Sequence, residues 1–190
     1  ISSDGTTAIV GARYDQDNGS FSGSAYIYKL VQGIWLETKV LPSDGAADDG
    51  FGHSVSISSD GTTAIVGARY NQDNGSASGS VYIYRFDGST WVEETKLLAS
   101  DGALNDAFGT SVSISYNGST VIAGAPFNND SGNSGSAYVF TLPLSTDCNN
   151  NNILDTCEIQ ENPSLDCNGD GILDSCQELV DCDENGIADS

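Results

Sequence analysis

Residues Phe51–Phe86, FGHSVSISSDGTTAIVGARYNQDNGSASGSVYIYRF, decide how this chain is read. The stretch opens on Phe51-Gly52 and an alternating run from Ser54 to Ser58. An Asp60-Gly61 turn follows, then an apolar run closed by Gly67-Ala68. After a polar Asn/Asp/Gly/Ser loop comes a second apolar run, Val81–Phe86. The text from Ile57 onward has two near-copies, one beginning at Ile1 and the other at Ile114, so the spacing is almost constant. Self-similarity at such a period signals stacked supersecondary units, each unable to bury its apolar faces alone.

Each unit reads as four short strands, A to D. In the middle copy these are about Gly52–Ser58, Thr63–Ala68, Ser80–Phe86 and Thr90–Leu98. Asp60-Gly61, Asn74-Gly75, Asp87-Gly88 and Asp101-Gly102 supply the turns. No helical period appears in residues 1–146. B and C are apolar on both faces, as in a sheet covered on both sides. D carries Glu93, Glu94 and Lys96, the charge that keeps an edge strand from pairing with another chain. From Trp91 to Asp101 there is one residue more than from Trp35 to Asp44, which predicts a bulge in that outer strand. Gly52, Gly67 and Ala68 gather on A and B, where neighbouring units should crowd.

The expected fold class is therefore all-β: a partial, open β-propeller of about three four-stranded antiparallel blades, followed by a small loop-rich calcium-binding tail. The expected blades are 1–50, 51–107 and 108–142. A linker covers 143–146 and tandem acidic repeats cover 147–190. The first blade supplies B, C and D, the second all four strands, and the third A, B and C. The absence of Met and the start within a repeat read as a fragment whose remaining blades lie in a parent chain.

Phe51-Gly52 and Phe108-Gly109 each open a strand A, and each is answered by Gly-Ala at the end of strand B (Gly67-Ala68, Gly124-Ala125-Pro126). These motifs resemble the FG-GAP repeats of integrin alpha-chain propellers, and the wording of Trp91–Ser115 resembles their bacterial relatives. The resemblance covers about residues 1–142. It implies a seven-bladed propeller of cell-surface type. Two departures stand out. Arg13 and Arg69 occupy the place of the proline, and a short turn (Ser59-Asp60-Gly61, Tyr116-Asn117-Gly118) replaces the cation loop of integrin blades. Too few oxygens remain there to enclose Ca²⁺.

The formal net charge is −21, from 27 acids and 6 bases. No basic patch is available for phosphates, so nucleic acid is excluded as a partner. No apolar stretch is long enough for a membrane span. Residues 147–190 hold 12 of the acids, all five Cys, and no Lys or Arg.

Within that segment three stretches align: Asp147–Asp155, Asp166–Asp174 and Asp181–Asp189. The pattern is D-C-[ND]-x-[ND]-[GN]-I-x-D. Its oxygens at positions 1, 3, 5 and 9, with the carbonyl at position 7, follow the ligand logic of a Ca²⁺ loop. The expected ligands are Asp147, Asn149, Asn151, Ile153, Asp155 and Glu158 in the first copy. Asp166, Asn168, Asp170, Ile172 and Asp174 serve the second, and Asp181, Asp183, Asn185, Ile187 and Asp189 the third. Three carboxylates about 5 Å apart repel by roughly 3 kcal/mol per pair at an effective dielectric of about 20, so a compact loop calls for a cation. These loops resemble thrombospondin type 3 repeats and, more loosely, dockerin calcium loops. Cys148 and Cys157 stand nine apart, as do Cys167 and Cys176. Pairing within a loop or between neighbouring loops both remain open. Disulfides and millimolar calcium point to an extracellular or cell-surface setting.

Asp15, Asp17, Asp73 and Asp130 in the B–C loops read as a weak cation site or, more simply, as solvated turn formers. Asp48, Asp49 and Asp106 could form a glycosidase pair, but they recur with the repeat. His53, the only histidine, reads as a surface side chain without a triad around it. Trp35 and Trp91 recur and read as packing. The expected function is non-enzymatic adhesion or binding of an extracellular protein or carbohydrate. The alternatives are a secreted polysaccharide-acting enzyme with its catalytic residues elsewhere, and a calcium-dependent docking module.

Overall fold

The computed structural model describes residues 1–128, 134–142 and 162–165. Ten strands form three antiparallel sheets. The first contains β1 (Thr7–Ala12), β2 (Ser24–Val31) and β3 (Ile34–Val40) in that order. The second contains β4 (Phe51–Ile57), β5 (Thr63–Ala68), β6 (Ser80–Phe86) and β7 (Trp91–Leu97). The third contains β8 (Ser111–Ile114), β9 (Thr120–Ala125) and β10 (Ser136–Thr141), with β9 in the middle. These are the strands expected from the repeat, B-C-D, A-B-C-D and A-B-C, and no sheet closes on itself. All ten lie in one compact unit, Ile1–Phe86 with Thr90–Leu142. A second unit comprises Asp87–Ser89 and the segment from Pro143. Within it a single 3₁₀ turn, Pro163–Leu165, is described. No helix among the described residues is long and apolar enough to cross a membrane.

The middle sheet is sandwiched. Every residue of β5 is buried, and β6 is buried up to Phe86. Ala64, Val66, Tyr82 and Tyr84 face the first sheet and join Ile27, Val40, Phe51 and Trp91 in one core. Ile65, Val81 and Ile83 face the third sheet and join Phe108, Val121 and Ala123 in another. The same strand positions in the flanking sheets are open on their outer sides: Val10 is 54% exposed and Val139 66%. The extra residue in the fourth strand is Glu94. β6 pairs Ile83 with Thr95 but Tyr84 with Glu93, so Glu94 bulges, whereas β2 and β3 pair without a shift. The bulge lets Glu94 reach Arg85 on the neighbouring strand.

Sheets meet through the Phe-Gly and Gly-Ala motifs. Phe51 and Phe108 are fully buried, and each ring meets two aromatic rings edge-on. Burying a side chain of this size contributes about 1.5–3 kcal/mol. The Phe51 amide donates to the Ser22 carbonyl of the preceding blade at 3.0 Å, and Phe108 repeats this with Ser78 at 2.9 Å. Gly52 and Gly109 take φ of +83° and +81°, conformations open to glycine. Their carbonyls lie where a side chain on Gly11 or Gly67 of the preceding blade would stand.

Candidate functional site

The loops at one end of the sheets carry the chemistry. Asp15 follows β1 and is held by four donors. It accepts from the Gln16 amide at 2.8 Å, Ser24 Oγ at 2.8 Å, Tyr26 Oη at 3.0 Å and Lys39 Nζ at 2.9 Å. Lys39 leads these in holding the Asp15 carboxyl far below the usual carboxylate range. Lys39 also pairs with Asp17. In the second blade Lys96 takes the same part, pairing with Asp73 and donating to Asp44 Oδ2 at 2.6 Å. Asp15, Asp17 and Asp73 are thus neutralised by lysines of the outer strands. Asp130 lies outside the described residues.

Asp44 shows what the Asp-Gly pairs do beyond turning the chain. It belongs to the connection out of the first blade, yet it accepts from Tyr82 Oη of the second blade at 2.7 Å. Burial opposes its ionisation, but the bonds from Lys96 and Tyr82 outweigh it and lower its pKa. Asp101 and Tyr138 repeat the contact one blade on. The tyrosine is pushed up to about 12 by burial and by the facing carboxylate. The sequence reading missed this tie; its signal was the recurrence of Asp44/Asp101 and Tyr82/Tyr138 at one period.

Asp49 and Asp106 lie in successive connections between blades, before β4 and before β8. Each caps its own connection: Asp49 accepts from the Ala46 amide at 2.9 Å, Asp106 from Ala103 at 2.7 Å. Asp60 is likewise occupied, accepting from Ser58 Oγ and from the Thr62 amide at 3.0 Å. Trp91 is buried against Phe86, with ring centroids 5.6 Å apart, whereas Trp35 on the first sheet is 45% exposed.

His53 differs from the surface residue expected. It is half-buried, and its Nδ1 lies 3.0 Å from Arg13 Nη1. A guanidinium can only donate, so Nδ1 accepts and the ring proton sits on Nε2. Burial, then the charges of Arg69 and Arg13, hold the imidazole below its ordinary pKa of 6.5. The two arginines in the place of the proline therefore gather a cationic cluster around a neutral histidine.

Beside this cluster a groove of about 390 Å³ opens between the loops of the first two blades. Arg13, Tyr14 and Phe21 of the first blade line it, with Tyr70 and Gln72 of the second and Asp48 of the connection between them. Tyr14, Phe21 and Tyr70 are all substantially exposed. Tyr14 meets Phe21 edge-on at 5.7 Å, and Arg13 and Arg69 lie over Tyr14 and Tyr70 at 4.4 and 4.5 Å. Phe21, Asp48 and Ala77 have positive φ, but Asn105 and Ala107 do too, so this strain belongs to the repeat rather than to the groove.

The FG-GAP repeat matches residues 1–28, 35–84 and 91–140. The chain belongs to the FG-GAP repeat family. Those matched segments contain all ten strands apart from the ends of a few, together with the groove. A search of curated proteins finds no match. The proposed calcium ligands from Asp147 to Asp189, and the cysteines among them, lie outside the described residues. Among the described residues no cluster of three or more His, Cys, Asp and Glu side chains is arranged to hold a metal.

Proposed function

We propose that this FG-GAP chain is a non-enzymatic, extracellular or cell-surface binding module. Its blades present a ligand surface, and its acidic C-terminal segment is a stalk ordered by Ca²⁺. The observation that carries the reading is the groove between the first two blades, where three exposed aromatic rings and an arginine converge on loops held by a rigid scaffold. A cluster of exposed aromatics on loops costs solvation and finds its use against a partner. The carboxylates that recur through the blades are committed to turns and lysine pairs.

The calcium part rests on the three in-register repeats of residues 147–190, whose oxygen spacing suits a hard cation. In this reading the extracellular setting supplies both the calcium and the oxidant for the cysteines. A calorimetric titration of the whole chain with CaCl₂ tests it. Binding of two or three ions, reversed by chelator, supports the stalk. No heat up to millimolar calcium removes it. A binding screen of the whole chain against extracellular proteins and glycans tests the ligand surface.

A further inference from the structure

We propose that the groove between the first two blades binds a sugar bearing an isolated carboxylate, a uronate residue of an acidic glycan. This rests on the ligand-binding reading above and gives that surface a ligand class. Three observations converge. The first is charge. Of the six Lys and Arg in a chain of net charge −21, Lys39, Lys96 and Arg85 are paired with carboxylates. Lys29 covers the Phe86 ring at 3.6 Å. Arg13 and Arg69 have no acidic partner among the described residues. Arg69 Nε is moreover buried without any hydrogen-bond partner. Arg13, the arginine that lines the groove, offers an incoming carboxylate the fork geometry of a guanidinium, with the charge of Arg69 close behind it in the cluster around His53.

The second observation is shape. Tyr14, Phe21 and Tyr70 offer flat apolar faces, on which the C–H faces of a pyranose ring stack. Asp48 and Gln72 supply acceptors and donors for hydroxyls beside those faces. A peptide carboxylate would use the arginines but leave this mixture of flat rings and hydroxyl partners idle. The volume of about 390 Å³ suits one or two sugar rings.

The third observation is broken symmetry. The next inter-blade groove has the same backbone, yet Arg13 and Arg69 of the first become Arg69 and Pro126. Phe21 becomes Ala77, and His53 becomes Thr110. The fold needs none of the first set, since the third blade forms without them. The chain's overall negative charge also limits the ligand. A densely charged polyanion is repelled, whereas a single carboxylate within the groove meets Arg13 at contact; Asp48 shares the lining, and acids farther off act only across a Debye length of about 8 Å.

The test is a titration of the whole chain with glucuronosyl-glucose, a disaccharide with one carboxylate, with its methyl ester, and with a blocked tripeptide carrying one glutamate, followed by calorimetry and by the His53 ring signals. The glucuronosyl disaccharide should bind, and the ester and the peptide should each bind at least tenfold more weakly. Binding should also raise the midpoint of the His53 titration, because a carboxylate beside the cluster favours imidazolium. Arg13→Gln and Tyr14→Ala should each weaken binding at least tenfold with the thermal transition unchanged; Tyr14 is 61% exposed, so its loss leaves the core intact. Absence of binding by the glucuronosyl disaccharide, equal binding of ester or peptide, or indifference to both substitutions would overturn the proposal. If another ligand binds and survives both substitutions, the broader ligand-binding reading stands while this one falls. If the chain binds nothing in the wider screen, both fall.

Discussion

The carbonyl oxygen of Gly109 occupies the space that a Cβ on Gly67 would need, less than 3.0 Å away. The two glycines come from the Phe-Gly motif of one blade and the Gly-Ala motif of the blade before it. Gly52 and Gly11 repeat the relationship one blade earlier. The pair of motifs that marks this family is thus a single contact seen from two sides. One glycine turns the backbone with positive φ, and the other leaves room for the turned carbonyl.

Gly67→Ala should therefore destabilise the blades by about 3 kcal/mol, the upper part of the range for overpacking, because the Gly109 backbone, and not only the Ser54 hydroxyl, stands in the way. Gly33→Ala is the control. Gly33 also has positive φ, but nothing lies near its would-be side chain, so only backbone strain of about 1 kcal/mol is expected. Urea unfolding followed by tryptophan fluorescence measures both. Equal losses would show that the close approach between blades carries no special weight.

The two tryptophans separate burial from recurrence. Trp91→Ala should cost about 3 kcal/mol, since the ring is 8% exposed and packs on Phe86 in the core between the first and second sheets. Trp35→Ala should cost less than about 1 kcal/mol, since that ring lies on an open sheet face. Thermal melts of the two variants decide. Comparable shifts would mean that Trp35 is covered in solution.

The strand order and even the Glu94 bulge were legible because they are local. A two-residue alternation, an Asp-Gly turn and one surplus residue between two fixed points each leave a mark within a single strand or turn. The ties between blades left no such mark. Asp44 meets Tyr82 across 38 residues and Ser54 Oγ meets the Gly109 carbonyl across 55, and both follow only from how the sheets stack. The groove was hidden for the same reason. Arg13 comes from the first blade and His53 and Tyr70 from the second, and the Arg in place of proline read as a departure from the family rather than as part of a cluster. The lysine partners of Asp15 and Asp73 left no local mark either, because Lys39 and Lys96 lie a strand or more away.

His53 gives a single, unambiguous NMR reporter. Its ring should carry the proton on Nε2 and titrate below 6.5, because burial and two neighbouring guanidiniums oppose a further charge. A base with a lowered folded pKa favours folding above the unfolded value, and that stability is lost as pH falls from about 6.5 towards the folded pKa. Unfolding midpoints should therefore decline slightly over this window in the wild-type chain and stay flatter in His53→Gln. Arg69→Gln should move the midpoint back up. A titration midpoint at or above 6.5 in the unaltered chain would show that the arginines lie too far away to act.

Removal of calcium should affect the two parts of the chain differently. The described residues of 1–142 derive their order from apolar cores, and the carboxylates named above are paired with lysine or cap turns, so a chelator is expected to change little there. In residues 147–190 the acids outnumber the bases by 12 to none. Stripping the cation would leave carboxylates at close range repelling by roughly 3 kcal/mol per pair, with little apolar surface to oppose them. Hydrogen exchange read by mass spectrometry, with and without EGTA under non-reducing conditions, should show faster exchange from Asp147 onward and no change in β1 to β10. Faster exchange in both parts would mean that the blades also hold calcium. Unchanged exchange in the tail would mean that its repeats are organised by their cysteines alone.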